Sequence, residues 1–158
     1  MRYFKVLVLT LLISCSFSYA QTKPAEPVVT PVKKFKAPPL KTQLSIYKDS
    51  VSLSVEEAKN VIAAALKVTD DKKNDYRITY YNFLYRRRVV TEDEKTGQAI
   101  PTEAVVSDDF SVTPLPALWI STIKDQLRSG EELFFFDIIV KDAQGRVMYA
   151  PNFRIKVK

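Results

Sequence analysis

Residues 130–158 constrain the fold of this chain more than any other stretch. Residues 133–140 form an apolar run that only Asp137 interrupts, and the run is rich in the aromatic and β-branched residues that strands favour. Asp-Ala-Gln-Gly at 142–145 combines an acidic residue with a glycine that tolerates positive φ, which predicts a tight turn. Residues 153–158 alternate apolar and basic side chains, the period-two pattern of a half-exposed strand. The stretch therefore predicts a β-hairpin within a β-sandwich.

The first twenty residues have the pattern of a secretory signal peptide. Arg2 and Lys5 precede an apolar run at 6–13, and small residues follow up to Ala20. The apolar run is far shorter than the ~20 residues that a membrane-spanning helix needs, and no later stretch reaches that length. We predict a signal peptide over 1–20, a mature chain without a transmembrane helix, and export to the periplasm, with outer-membrane association as an alternative.

Cys15 is the only cysteine, and its surroundings leave two modes of processing open. Leu-Ile-Ser-Cys at 12–15 is similar to the lipobox of bacterial lipoproteins, whereas Ser-Tyr-Ala at 18–20 resembles an ordinary cleavage site. We favour ordinary cleavage, with lipidation of Cys15 as the alternative. One cysteine and no histidine exclude an internal disulfide, a Ser-His-Asp triad and the commonest metal ligands. We predict no cofactor.

The net charge of +6 lies outside the predicted domain. Residues 1–20 carry two basic groups and no acidic group, and residues 21–44 carry five basic groups and one acidic group. Residues 45–158 therefore hold 17 basic and 17 acidic groups. Because the predicted domain is neutral and the chain is exported, we exclude nucleic acid as a partner.

Prolines interspersed with lysines mark residues 21–43 as an extended linker, either a plain spacer or a strap that lies on a partner. Residues 44–158 suit one domain with one hydrophobic core. Within it, Leu44 to Leu53 predict one or two short opening strands. Ser54 and Glu57 form a capping-box pattern, and apolar residues at helical spacing continue the predicted helix to Leu66.

The middle of the domain predicts a long strand, a connection and a second helix. Residues 76–90 favour a strand with tyrosines on both faces and a bulge midway. Residues 92–113 are acidic and predict a hairpin tip with a long connection. Pro114 and Pro116 open a short helix that Gly130 is expected to end. Its predicted inward residues are Leu118, Trp119, Ile123 and Leu127. The predicted fold is mainly β, a single β-sandwich with two short helices.

Several stretches resemble GldM-type proteins. Residues 130–138, 142–145 and 153–158 are similar to the last hairpin of that family, with its Gly-Asp lead-in, Phe-Glu-Asp-Ile strand, Gly-Pro-Asp-Gly turn and alternating basic strand. Tyr-Arg-Ile-Thr-Tyr-Tyr at 76–81 is similar to the family's Phe-Lys-Val-Thr-Ser-Phe strand, and residues 54–65 to the short helix before it. These motifs are structural rather than catalytic.

GldM-type proteins are inner-membrane-anchored shafts of the type IX secretion and gliding-motility machinery of Bacteroidota, built from periplasmic β-domains that contact outer-membrane partners. The resemblance covers residues 53–158 and implies a β-sandwich of the GldM terminal kind, with an Ig-like sandwich as the other possibility. It also implies protein partners from the outer-membrane secretion or gliding complex. The chain departs from the family by its signal peptide, its single domain, and the apolar Phe136 and Ile139 at positions that are usually polar.

These departures nominate the partner-binding residues. An outward Phe136 or Ile139 would enlarge an apolar patch of the kind found at protein interfaces, and the alternative is a thicker core. Arg86 and Arg88 belong to the only concentrated basic cluster of the domain, and Arg87 between them points to the opposite side of the strand. They are expected to pair with acidic residues 92–94 across the hairpin tip or to dock on an acidic partner.

Two further functions stay open as alternatives. The tyrosines of the long strand, Tyr76, Tyr80, Tyr81 and Tyr85, suggest a carbohydrate- or peptidoglycan-binding module, with Tyr81 and Tyr85 as the sugar-stacking residues. A periplasmic chaperone or inhibitor would instead add a strand to its client. Catalysis is not expected, because no spacing nominates a pair of carboxylates and Asp137 is better explained as a structural group. The acidic pairs at 70–71 and 108–109 lack the spacing of a calcium loop, so we predict no metal.

Overall fold

The structure is a computed structural model that describes residues 35–158. Within this range the chain forms nine strands and two helices. In chain order they are β1 (Leu40–Leu44), β2 (Tyr47–Lys48), β3 (Val51–Leu53), α1 (Val55–Val61), β4 (Leu66–Asp70), β5 (Asp75–Glu92), β6 (Ala99–Phe110), α2 (Ala117–Gln126), β7 (Glu132–Lys141), β8 (Val147–Tyr149) and β9 (Phe153–Val157). The prediction of a mainly β domain with two short helices is confirmed.

Strands β5 and β7 pair antiparallel at the centre of the sheet, and each pairs with two further strands along its other edge. The outer edge of β5 pairs first with β4 and then, over twelve residues, with β6. The outer edge of β7 pairs with β9 and then with β8. Strand β1 extends the β4 side, and β3 runs parallel to β9. The sheet is nearly closed, and the Thr42 hydroxyl on β1 donates a hydrogen bond to the Pro151 carbonyl just before β9.

The pairing of β5 with β7 is irregular at two neighbouring positions, where both strands bend. The pairing register shifts between Ile78 and Tyr80 and again between Tyr80 and Asn82. Opposite these residues Asp137 has a φ of +50°, a left-handed conformation in a strand that is otherwise extended. An extra residue in one strand leaves the ladder unpaired locally and increases the twist. The bulge predicted midway along β5 is present, but it lies at residues 78–82, nearer to the start of the strand.

The core lies on the inner side of the bent sheet and contains residues of every strand except β2. Its largest buried side chains include Tyr81, Phe83, Tyr85, Phe135 and Phe153. Removing such aromatic side chains from water is the main favourable contribution to folding, at about 25 cal/mol per Å² of apolar surface.

The two helices cover this core. The capping box of α1 is confirmed, because the Ser54 hydroxyl accepts from the Glu57 N–H while the Glu57 carboxylate accepts from the Ser54 N–H. In α2, Ile123 and the following Leu127 are buried and Trp119 is partly buried, as predicted. Leu118 was predicted to point inward, and this is wrong: it is 76% exposed. It precedes Trp119 in the helix and so lies on another side of it.

Four boundaries differ from the sequence predictions. The second helix was predicted to end at Gly130, but α2 ends at Gln126. Residues 92–113 were predicted as a hairpin tip and a long connection, but most of them form β6, paired along its length with β5. Leu66 was predicted as the end of the first helix, but it opens β4. Strand β1 begins at Leu40, inside the predicted linker, so the domain begins before residue 44. Residues 1–20, with the proposed signal peptide and Cys15, lie outside the described residues.

Candidate functional site

An apolar cluster lies on the side of the sheet that faces away from the core. In β7 the buried Leu133 and Phe135 alternate with Phe134 and Phe136, which are only half-buried and belong to the opposite face. The pairing register places their neighbours on the same face. We call this set the outer-face cluster: Tyr80, Leu84, Phe134, Phe136 and Ile139.

Stacking and hydrogen bonds hold the outer-face cluster in place. The rings of Phe134 and Phe136 are stacked, with centroids 5.2 Å apart and planes 11° apart. The Arg154 guanidinium covers the Phe134 ring, with Cζ 4.3 Å from its centroid, and its Nε lies 3.0 Å from a Glu132 oxygen. These contacts therefore fix the position of the Phe136 ring on the outer face.

Polar groups frame the other end of the cluster. The Tyr80 hydroxyl donates to Asn82 Oδ1 at 2.9 Å, and Asn82 Nδ2 donates to Asp137 Oδ2 at 3.1 Å. Tyr149 pairs opposite Ile139 and is 74% exposed. The Asp137 carboxylate is exposed and bonded to an amide, so it is a structural group at the bulge rather than an acid in an apolar site.

The predicted basic residues lie near one end of the same surface. Arg86 Nε is 3.9 Å from Glu103 Oε2, and both side chains are largely exposed. The expected pairing with residues 92–94 is wrong, because β6 is a full strand and brings Glu103 opposite this part of β5. The Arg88 guanidinium packs directly on Gly130, where a Cβ atom would collide with it.

Arg87 points to the opposite side, as the strand period predicted. Its Nη1 donates to Gln126 Oε1 of α2 at 2.7 Å. The ion pair of Arg86 with Glu103 is long and solvent-exposed, and pairs of that kind contribute about 0–1 kcal/mol. The pair therefore contributes little to the stability of the fold.

A buried carboxylate that sequence reasoning missed organises the start of β7. Glu131 is 4% exposed, and its Oε2 accepts from the Tyr85 hydroxyl at 2.5 Å and from the Arg128 N–H at 3.0 Å. Its Oε1 accepts from the Arg88 N–H at 3.1 Å. Burial, and then the hydrogen bond to Glu131, raise the pKa of Tyr85 well above its usual value. Glu131 thus joins β5 to the loop after α2.

The prediction of sugar stacking on Tyr81 and Tyr85 is wrong. Both rings are buried, at 0% and 2% exposure, so neither face can meet a ligand. The Tyr81 hydroxyl donates to the Val112 carbonyl at 2.9 Å, and burial raises the pKa of Tyr81 to about 12. Tyr80, the neighbouring residue, lies on the outer face instead, because side chains alternate along a strand, and the register shift pairs it with Ile139.

The acidic pair at 70–71 serves a turn. Both oxygens of Asp70 accept hydrogen bonds, from the N–H groups of Lys72 and Asn74, the Asn74 side chain and the Tyr76 hydroxyl. The side-chain amide of Asn74 is the main reason why the pKa of Asp70 is lowered. Residues 35–158 contain no group of three or more His, Cys, Asp and Glu side chains that could hold a metal ion.

In the same range no helix is both long enough and apolar enough to cross a membrane. Of the predicted site residues, Phe136 and Ile139 lie together on the outer face. Arg86 lies at the end of that face, and Arg88 lies beside it against Gly130. Neither the available family models nor the curated proteins include a match to this chain.

Proposed function

We propose that this chain is a non-enzymatic, exported protein-binding subunit that docks on its partner through the outer-face cluster. The observation that carries the proposal is a contiguous set of partly exposed aromatic and aliphatic side chains on the side of the central strands that faces away from the core. Exposed apolar patches rimmed by polar groups mark protein interaction sites, and aromatic residues and arginine are enriched in interface centres.

The arrangement of the cluster favours tight binding. The Phe134 and Phe136 rings are already stacked, and Arg154 already covers one of them. Side chains that are ordered before binding lose little conformational entropy when a partner covers them. Phe136 is the predicted centre of the interface, with Ile139 extending it along β7.

Electrostatic steering is assigned to the arginines at the end of the face. Arg86 is exposed and weakly paired, and Arg88 is exposed beside it. Charges at an interface rim mainly raise the association rate and select the partner. A partner with an acidic patch next to an apolar one fits this surface.

The cellular setting rests on the resemblance to GldM-type proteins. It supports an accessory subunit of the type IX secretion or gliding-motility machinery, located in the periplasm or at the outer membrane. The partners would be protein components of the outer-membrane complex. A binding role also agrees with the carboxylates Glu131, Asp137 and Asp70, which all serve structural hydrogen bonds.

A crosslinked affinity pull-down tests this function. Full-length tagged protein is isolated from its native envelope, and the co-purified proteins are identified by mass spectrometry against an untagged strain. We expect secretion or motility components, and we expect Phe136→Lys to reduce their recovery about tenfold or more, as substitution of a central interface residue does.

Ile46→Lys is the matched control, because Ile46 is 80% exposed and lies away from the outer-face cluster in the β1–β2 turn. This variant should keep wild-type recovery. Equal recovery by Phe136→Lys and Ile46→Lys would exclude the outer face as the docking site. Enrichment of glycan fragments without proteins would exclude the protein-binding function.

A further inference from the structure

Strand β6 has a long edge that no other strand covers within residues 35–158. The direction of its backbone groups follows from the neighbouring strand. The Arg88 N–H bonds to Glu131 on the β7 side, so the even-numbered residues of this part of β5 face β7 and the odd-numbered residues face β6. Opposite them, Ala104 and Val106 face β5. The alternate residues Glu103, Val105 and Ser107 therefore point their backbone N–H and C=O groups outward, away from β5.

This outward edge is open only in its middle. At one end Pro101 has no N–H to offer. At the other end the Asp109 N–H is already bonded to Asp108 Oδ1 at 2.9 Å. Free strand edges attract other strands, and proteins protect them with proline and charge. The protection here leaves residues 103–107 available, a length that suits one short added strand.

An apolar cavity lies directly behind this open segment. It has a volume of about 280 Å³ and is lined by Tyr85, Arg87, Val106, Leu118, Trp119 and Thr122. Val106 pairs opposite the buried Tyr85, so its side chain is on the cavity side of the strand. Cavities for whole ligands are usually ~300–1,000 Å³, so this one suits a single large side chain.

The charge of β6 indicates what kind of strand would bind. Its twelve residues include Glu103, Asp108 and Asp109 and no basic residue. Like charges on adjacent strands are destabilising and opposite charges are stabilising. A second copy of this chain would set β6 against an equally acidic strand, whereas a segment with lysine or arginine would complement it.

We propose that β6 accepts an added β-strand from a partner protein, with residues 103–107 supplying the backbone hydrogen bonds. The partner segment is extended and basic, and one large apolar side chain of it enters the cavity between β6 and α2. This site uses the inner side and the free edge of the sheet. It shares no residue with the outer-face cluster, although Glu103 of the edge pairs with Arg86 at the end of that face.

The test uses phage-displayed random octapeptides selected on the full-length protein. We expect enriched peptides to share one large apolar residue and at least one lysine or arginine. For the strongest synthetic peptide, Val105→Pro should weaken binding at least tenfold, because proline removes an outward N–H that an edge strand can lose without disrupting its own sheet. Val105→Thr keeps that N–H and should bind as the wild type does.

A second variant and a direct measurement do not depend on proline. Leu118→Lys places a charge at the cavity mouth, on an exposed position, and should also weaken binding at least tenfold. Amide hydrogen exchange should show the N–H groups of Glu103, Val105 and Ser107 becoming protected when the peptide binds. The Phe136→Lys variant should bind the peptide normally.

Three results would overturn the proposal. The first is that selection enriches no basic–apolar peptides. The second is that Leu118→Lys leaves peptide binding unchanged and the amides of residues 103–107 stay unprotected. The third is a dimer in sedimentation experiments that Val105→Pro dissociates, because this would assign the edge to a second copy. Loss of the pull-down partners in Phe136→Lys with intact peptide binding would separate the two sites.

Discussion

Phe135 and Phe136 are chemically identical neighbours in β7, but one belongs to the core and the other to the surface. Phe135 is 1% exposed and packs among the core aromatic rings, whereas Phe136 is half-buried and stacks on Phe134. Strand β5 repeats the contrast, with Tyr81 buried and Tyr80 on the outer face. Two faces of similar apolar character thus have different environments.

The difference teaches that the apolar content of a strand does not identify which of its faces is the core. The inner face buries its rings and also satisfies its tyrosine hydroxyls, through Val112 and Glu131. The outer face carries equally large apolar groups, yet these remain partly exposed, and Arg154 covers the Phe134 ring. A face with this composition is suited to a partner, and changing the two faces separately tests that interpretation.

The largest expected effect is the loss of a core ring. Phe135→Ala should lower the free energy of unfolding by about 3–5 kcal/mol, because it removes a fully buried aromatic side chain and leaves a cavity. Phe136→Ala, its matched control one residue away, should cost about 1 kcal/mol or less, as substitutions at half-exposed sites usually do. Urea unfolding of the full-length variants measures both values. Equal losses would mean that Phe136 is also a core residue.

Glu131 and Glu132 allow the same comparison for carboxylates. Glu131→Gln replaces an acceptor of three hydrogen bonds by an amide whose NH₂ faces donors, and it should cost about 1.5–3 kcal/mol. Glu132 bonds to Arg154 on the outer face, so Glu132→Gln should cost less than about 1 kcal/mol. Thermal unfolding at pH 7 compares the two variants. A larger cost at Glu132 would contradict the structural role assigned to Glu131.

Alkaline pH should destabilise the inner face through Tyr81. Its pKa is about 12 in the folded chain, compared with 10.0 for an ordinary tyrosine. Because the folded state keeps the proton longer, the stabilisation is complete below pH 10 and is lost as the pH rises through 12. By pH 12 the linkage relation gives a loss of about 2 kcal/mol, which Tyr81→Phe should abolish.

The measurement is the difference in unfolding free energy between the wild type and Tyr81→Phe at pH 9 and at pH 12. At pH 9 this difference should be about 1 kcal/mol, the usual contribution of the lost hydrogen bond to Val112. At pH 12 it should shrink or change sign. A difference that does not vary with pH would show that the Tyr81 hydroxyl is not buried.

Sequence reasoning succeeded where the determining interactions are local. The capping box of α1 depends on two residues three positions apart, and the turn before β8 depends on Asp142 and Gly145, whose φ is +79°. The long β5 strand was predicted because its composition is strongly β-forming. Each of these features can be judged within one short window of sequence.

Strand β6 escaped prediction because its identity depends on a distant partner and on its position at an edge. Pro101 and the acidic residues Asp108 and Asp109 look like loop signals, but in the structure they protect a free strand edge. Strand β4 was missed because Leu66 satisfies both the helical spacing before it and the alternation after it. Composition alone does not separate these alternatives.

The site was only partly predictable for a related reason. Phe136 and Ile139 were named from the run of β7, but placing both on one face, although they are three residues apart, requires the register shift at Asp137. Nothing in the local sequence marks that shift. Glu131 was missed because two of its three partners, Tyr85 and Arg88, lie in the distant strand β5, and because the adjacent Glu132 looks the same in sequence.

The smallest expected effect concerns Asp137. Its left-handed backbone lies at the register shift that changes which residues of β7 face outward. A β-branched residue at a φ of +50° is strongly disfavoured, whereas asparagine adopts this conformation readily. Asp137→Val should therefore be less stable than Asp137→Asn by about 1–2 kcal/mol.

Lys141 is the matched control for this comparison. It is an exposed residue of the same strand and has no positive φ, so Lys141→Val should be at least as stable as Lys141→Asn because valine is the better strand former. Denaturant unfolding of the four variants gives both differences. If valine and asparagine were equivalent at 137, the bulge would not depend on this residue. Core packing of Phe135 and Ile138 alone would then decide that Phe136 faces outward.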